Sequence, residues 1–284
     1  ALGEALVAHH LGADGTFADL KRIPAAELLN SQIDVFSGHY FSPIPDPETL
    51  PVSLEETVAD DLFPEMNLVI GSNRNESLMY IPEGAVLTDY LEGYFPPETW
   101  DDIKSILGAD LPELAQMDRL RSAVQYTCPS LMLAQAVKEA GGAAYVYRFD
   151  RVREGFDAIG AYHGAELPYV FDTHDPWMPT NAVDQHVTNA LVDYWVAFLT
   201  NGSPNESQSD GSETGGLETG NPETNSSGAH DLEINSAEKG RVMWSAWGQQ
   251  QQALVIADEN STQTHPDAAL CEFLNAAQVA SARH

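Results

Sequence analysis

Two side chains able to exchange protons stand in settings that catalysis could use. His163 lies in AYHGAELPYVF (residues 161–171), between a tyrosine and a glycine and ahead of an acid and a short apolar run. Glu76 lies in IGSNRNES (residues 70–77), just beyond a short apolar run that ends in Gly71. An imidazole titrates near neutrality and can take the proton of a nucleophile, while a buried carboxylate fixes its tautomer and stabilises the imidazolium that forms. Glu76 and His163 could fill these two roles, in the chain order acid then histidine. Plainer readings stand beside this one: a strand-end Glu is often a solvated acid or a helix N-terminal charge, and a His before Gly is often a loop residue. His163 and Glu166 also have the i, i+3 spacing of a metal-ligand pair on a helix. Against that, Gly164 and Pro168 bracket the segment, and the remaining histidines are scattered along the chain.

The elements that must position these residues alternate in type. Residues 67–71 (NLVIG) and 143–149 (AAYVYRF) read as buried parallel strands, and the second follows a helix that starts after Pro129 and stops at Gly141-Gly142. Helices are expected over 101–107, 117–125 and 187–200, a late strand over 253–257, and a terminal helix over 266–282. Leu2, Leu6, Val7 and Leu11, closed by Gly12, have helical spacing at the start. The succession implies an α/β layered fold. From Ser203 to Glu238 the chain is polar and acidic, which predicts a surface loop rather than a core element.

The 284 residues carry 43 acidic and 13 basic side chains, a net charge of -30, and 43% are hydrophobic. Such a chain can bury a sizeable core, and its field repels phosphate backbones and anionic surfaces, so nucleic acid is excluded as an expected partner. No run is long and apolar enough to read as a membrane span. The preponderance of Arg over Lys among the bases is compatible with adaptation to high salt. Two cysteines, Cys128 and Cys271, stand far apart; on arithmetic alone they read as buried thiols.

Several segments, in order, resemble type-B carboxylesterases, the cholinesterase-like α/β-hydrolases: IGSNRNES, CPSLMLAQAVKEAGGAAYVYRFD, AYHGAELPYVF, DYWVAFLTNGSPN and ALCEF, with AAELLNSQ and FSPIPDPETLP upstream. The resemblance covers nearly all of residues 1–284 except the acidic insertion at 203–238. It implies the C-terminal portion of an α/β-hydrolase fold, a mostly parallel sheet flanked by helices. It assigns Glu76 as catalytic acid, His163 as catalytic base in an H-G-x-E setting, and Glu166 as a structural motif residue. It pairs Cys128 with Cys271 in a disulfide, which in turn argues for a secreted or periplasmic setting, and places Trp244 and Trp247 in the segment leading to the last edge strand. It implies no cofactor.

The departures are as informative. No G-x-S-x-G turn occurs; Ser72 follows Gly71 but precedes Asn73, and Ser212 lies in the acidic tract. The family's nucleophile elbow and glycine-rich oxyanion loop lie upstream of every matching segment. The expectation is a hydrolase of small-molecule carboxylic esters that supplies the acid and histidine and partners with an absent N-terminal half, so that the chain alone is inactive. A catalytically silent esterase-like interaction module is the alternative, and a metal-dependent hydrolase on His163 and Glu166 a third.

Overall fold

The computed structural model describes residues 2–37, 39, 43–44, 46–60, 62–205 and 241–281. They form two compact units, residues 1–56 and 57–284, where a single domain portion over 1–284 is the sequence expectation. The first unit holds four short helices: α1 (Leu2–Leu11), α2 (Phe17–Leu20), α3 (Ala25–Asn30) and α4 (Gln32–Phe36). Thr16 starts α2 with a reciprocal capping box to Asp19. The helical spacing at residues 2–11 is a real helix, yet none of its residues is buried. A further helix, α5 (Leu54–Ala59), spans the division between the units.

The second unit is built on a four-stranded sheet in the order β1 (Leu68–Asn73), β2 (Ala144–Phe149), β3 (Gln252–Ile256), β4 (Ser261–Thr264). β1, β2 and β3 run parallel, and β4 closes the far edge as an antiparallel hairpin partner. All the strands read from sequence are present. Between β1 and β2 the chain passes through α6 (Leu87–Tyr94), α7 (Trp100–Leu107), α8 (Glu113–Ser122), a π-helical turn at Ala123–Thr127, and α9 (Cys128–Glu139). Between β2 and β3 come α10 (Leu167–Val170) and α11 (Ala182–Asn201), and α12 (Ala268–Ser281) follows β4. The helix expected over 117–125 is therefore two structures: α8 starts earlier, after Pro112, and its last residues are π-helical.

Strand alternation sends side chains to opposite faces, and both faces are covered. Leu68, Ile70, Ala144, Val146 and Ala253 join one core with α6 to α9 and α12; Val69, Tyr145, Phe149, Leu254 and Ile256 join the other with Tyr169, Leu191 and Tyr194. This is why β1 and β2 read as nearly continuous apolar runs. Gly71 allows the close approach of β1 to β2, since a Cβ there would lie 2.3 Å from the Tyr147 carbonyl oxygen. Trp244 is fully buried and donates its indole N–H to the Val146 carbonyl at 2.8 Å, and Trp247 N–H bonds the Ala144 carbonyl at 2.7 Å. Most of the acidic tract lies outside the described residues. Its flanks are tied together: Trp244 N–H donates to Asn205 Oδ1 at 2.9 Å, and Arg241 donates to the Pro204 carbonyl at 2.6 Å.

Cys128 at the head of α9 and Cys271 in α12 form a disulfide across 143 residues, with Cα atoms 5.1 Å apart. Nearby, Asp267 accepts from Arg119 of α8 at 2.6 Å and from Arg148 of β2 at 2.9 Å, pinning the entry to α12. His265 sits in this junction at 2% exposure. Its Nδ1 accepts the Asp267 N–H at 3.1 Å and its Nε2 has no partner. Burial, reinforced by Arg148 and opposed by Asp267, depresses its pKa to about 4.

Two outcomes follow for stability. Replacing both cysteines by Ala should lower unfolding free energy by about 2–5 kcal/mol, read by urea unfolding with and without reductant; an unchanged midpoint would contradict a closed disulfide. Because His265 is neutral when folded and binds a proton when unfolded below its ordinary value of 6.5, stability should fall as pH drops from there toward 4. The full descent removes on the order of 3 kcal/mol, and His265→Gln should flatten that part of the pH–stability curve relative to the parent.

Candidate active site

The site forms where the chain leaves the C-terminal ends of β1 and β2, the edge at which parallel α/β sheets hold ligands. β1 ends at Asn73, and the turn that follows brings Glu76 back so that its Oε1 accepts the Asn73 N–H at 2.7 Å. After β2 the chain loops out and returns beside this turn. Asn75 N–H bonds the Ala161 carbonyl at 3.0 Å, and Asn75 Oδ1 accepts the Ala161 N–H at 3.0 Å. The approach requires glycine at 160, whose φ is +64° and where a Cβ would lie 2.2 Å from Asn75 Oδ1.

This apposition puts His163 against Glu76, with Nδ1 donating to Oε2 at 2.6 Å. Glu76 is 5% exposed, whereas the imidazole is 45% exposed. An ionised carboxylate only accepts, so the shared hydrogen belongs to Nδ1 and the Nε2 lone pair is presented for proton transfer. Burial pushes the Glu76 carboxyl above its ordinary range; the Asn73 N–H and His163 pull it back, and the Glu166 carboxylate adds to the upward push. Tyr126, on the π-helical turn, tilts over the imidazole at 5.1 Å between centroids, and Tyr80 meets it edge-on at 6.2 Å. The i, i+3 partner of His163, Glu166, accepts instead from Asn73 Nδ2. Among the described residues no group of three or more His, Cys, Asp or Glu could hold a metal ion.

Behind the pair stands Asp118 of α8, 2% exposed. Its carboxylate accepts from Asn75 Nδ2 at 2.7 Å, Ser77 N–H at 3.2 Å and Ser122 Oγ at 3.2 Å. Burial raises its pKa and these donors oppose the rise. Ser72 is buried and its Oγ bonds Thr127 Oγ1 at 2.8 Å, so it is no nucleophile candidate; Ser212 lies outside the described residues. Sequence reasoning singled out Glu76 and His163, which the structure brings together, but not their neighbours Asn73, Asn75, Asp118 or Tyr126. Asn73 and Asn75 sit inside the IGSNRNES segment and could have been asked about, whereas nothing in the sequence around Asp118 marks it.

The carboxylesterase family model matches residues 111–274. Phenmedipham hydrolase of Pseudarthrobacter oxydans is 26% identical over 71% of the chain and 45% of its own length. Para-nitrobenzyl esterase of Bacillus subtilis is 28% identical over 58% of the chain and 35% of its own length. The crystal structure of a Geobacillus stearothermophilus carboxylesterase superposes with a TM-score of 0.67 at 20% identity, covering 97% of the chain and 53% of that protein. The chain thus spans about half or less of the length of these relatives.

Replacing Asp118 by Ala would leave the Asn75 amide without its acceptor and the Ser77 N–H with Ser122 Oγ at 3.1 Å as its remaining one. The expected cost is about 1–3 kcal/mol, measured by urea unfolding at pH 7, and a change within a few tenths of the parent would show that the carboxylate does not hold this turn.

Proposed function

The chain belongs to the carboxylesterase family, and from that premise we propose that it supplies the catalytic acid and base of a serine-type carboxylic ester hydrolase, with Glu76 as the acid and His163 as the base. The observation that carries this reading is the 2.6 Å contact between His163 Nδ1 and Glu76 Oε2, which leaves Nε2 available. In this mechanism Nε2 takes the hydroxyl proton of a serine as its oxygen attacks the ester carbonyl carbon, and the imidazolium is stabilised by Glu76. The proton then passes to the departing alcohol. Water repeats the sequence on the acyl-enzyme and regenerates the serine. Small-molecule carboxylic esters are the substrate class.

No serine within the 284 residues stands in a G-x-S-x-G turn, so the nucleophile and the oxyanion donors belong to a preceding segment of the same fold. The edge of β1 is the place for that segment to dock. Among the described residues β1 pairs only with β2, and an apolar parallel strand with one open edge invites a further strand. The disulfide between Cys128 and Cys271 favours folding in an oxidising compartment, secreted or periplasmic.

The test is reconstitution. The 284-residue chain alone should not turn over p-nitrophenyl acetate, and joining it to an upstream segment bearing the serine should give turnover. In the joined protein His163→Ala should lower kcat by at least about a thousandfold and Glu76→Gln by about a hundredfold or more. Full activity of the joined protein with Ala at 163 would overturn the assignment; activity in neither form would favour the catalytically silent module.

A further inference from the structure

Resting on the reading of Glu76 and His163 as acid and base, we infer that Asn73 is a positioning residue of the pair, whose side chain, beside the Asn75–Ala161 bonds, ties the acid's turn to both flanks of the histidine. Asn73 is the last residue of β1 and is 2% exposed. It acts in two directions at once. Its backbone N–H holds Glu76 Oε1 at 2.7 Å. Its side-chain Nδ2 donates to the carbonyl of Tyr162, the residue preceding His163, at 2.7 Å, and to the Glu166 carboxylate, three residues after His163. The histidine is thus held on both flanks by one amide group, and the acid by the same residue's main chain.

The orientation of that amide is dictated by its neighbours. A carbonyl and a carboxylate both accept, so only the NH2 group can face them, and a flipped amide would set oxygen against two oxygens. The consequence is that Oδ1 points into the protein with no partner. Leaving a buried acceptor without a partner is a cost that the two donor contacts of the same amide offset. Glu166 gains a role in the same step. It anchors the far side of the histidine loop through Asn73, and its negative charge adds to the upward push on Glu76. Opening the Asn73 contacts would leave the loop held here by the Asn75–Ala161 bonds and let the imidazole turn away from Oε2, the contact that fixes its tautomer among the described residues.

The experiment needs no ester turnover. In the full chain labelled with 15N-histidine, long-range proton–nitrogen correlation at pH 7.5 reads the tautomer of His163, with Nδ1 protonated in the parent and Nε2 as the acceptor. Glu76→Gln is the control for the pair itself, and Asn73→Ala and the isosteric Asn73→Asp both remove the donor. The expected result is that either Asn73 variant that retains the parent's amide spectrum shows a mixed-tautomer signal for His163, as Glu76→Gln does. If Glu76→Gln disturbs the His163 signal and a folded Asn73 variant leaves it as in the parent, the positioning role is wrong and the acid–base pair stands. If Glu76→Gln leaves it unchanged, the pairing itself falls, and the positioning role falls with it. If neither Asn73 variant folds, Glu166→Ala, at a partly exposed position, makes the same decision by removing the far anchor: a mixed-tautomer signal supports the lock, and the parent signal overturns it.

Discussion

A carboxylate that is 5% exposed must be answered from inside the protein, and meeting that demand organises the site. Glu76 receives a main-chain N–H on one oxygen and an imidazole N–H on the other. The first donor is local to the turn after β1, while the second arrives because β1 and β2 are adjacent and parallel, so the chain leaves each strand at the same edge of the sheet. A parallel bridge between Asn75 and Tyr162, closed by the Asn75–Ala161 hydrogen bonds, then extends their neighbourhood past the last residues of the strands. The acid and the histidine are 87 positions apart in the chain, and it is the sheet, not any local motif, that removes that distance.

The supporting arrangement repeats one device, a buried acid that gathers donors from separate elements. Asp118 collects the turn after β1 onto α8, and Asp267 collects α8 and β2 onto the start of α12. Asp184, fully buried, accepts from Tyr169 and Arg151 and so joins the chain on both sides of the histidine to the start of α11. Burial alone would raise Asp184; the Tyr169 hydroxyl, the Asn181 N–H and Arg151 bring it below its usual range. Each acid is costly to bury unpaired, which makes each junction specific to the partners it has.

What was legible in the sequence divides along physical lines. β1 and β2 could be read because a strand covered on both faces needs apolar side chains at every position. Helices α9 and α11 showed themselves by Pro and Gly punctuation and by spacing, and the residue types Glu and His suggested an acid–base pair. Their pairing was implied by the family resemblance and not by local pattern, since the contact depends on strand order. Asp118 escaped for the same reason: on α8 it is one polar residue among several, and its importance comes from what the turn after β1 presents to it. The π-helical turn was invisible because one extra residue in a helix leaves no mark in composition, yet it is what brings Tyr126 over the imidazole. The bond between Cys128 and Cys271 was implied by family resemblance, where the count of two cysteines pointed the other way.

The position of that bond relative to the acid and the histidine has a topological consequence. Glu76 precedes the sulfur-linked interval and His163 falls inside it, so the two groups belong to different sides of any single cut between residues 129 and 163. Under oxidising conditions a protease that severed the backbone once anywhere from there to residue 270 would release nothing. The fragments would stay one molecule until the sulfurs were reduced, and an electrophoretic gel would report the break only in the presence of a thiol.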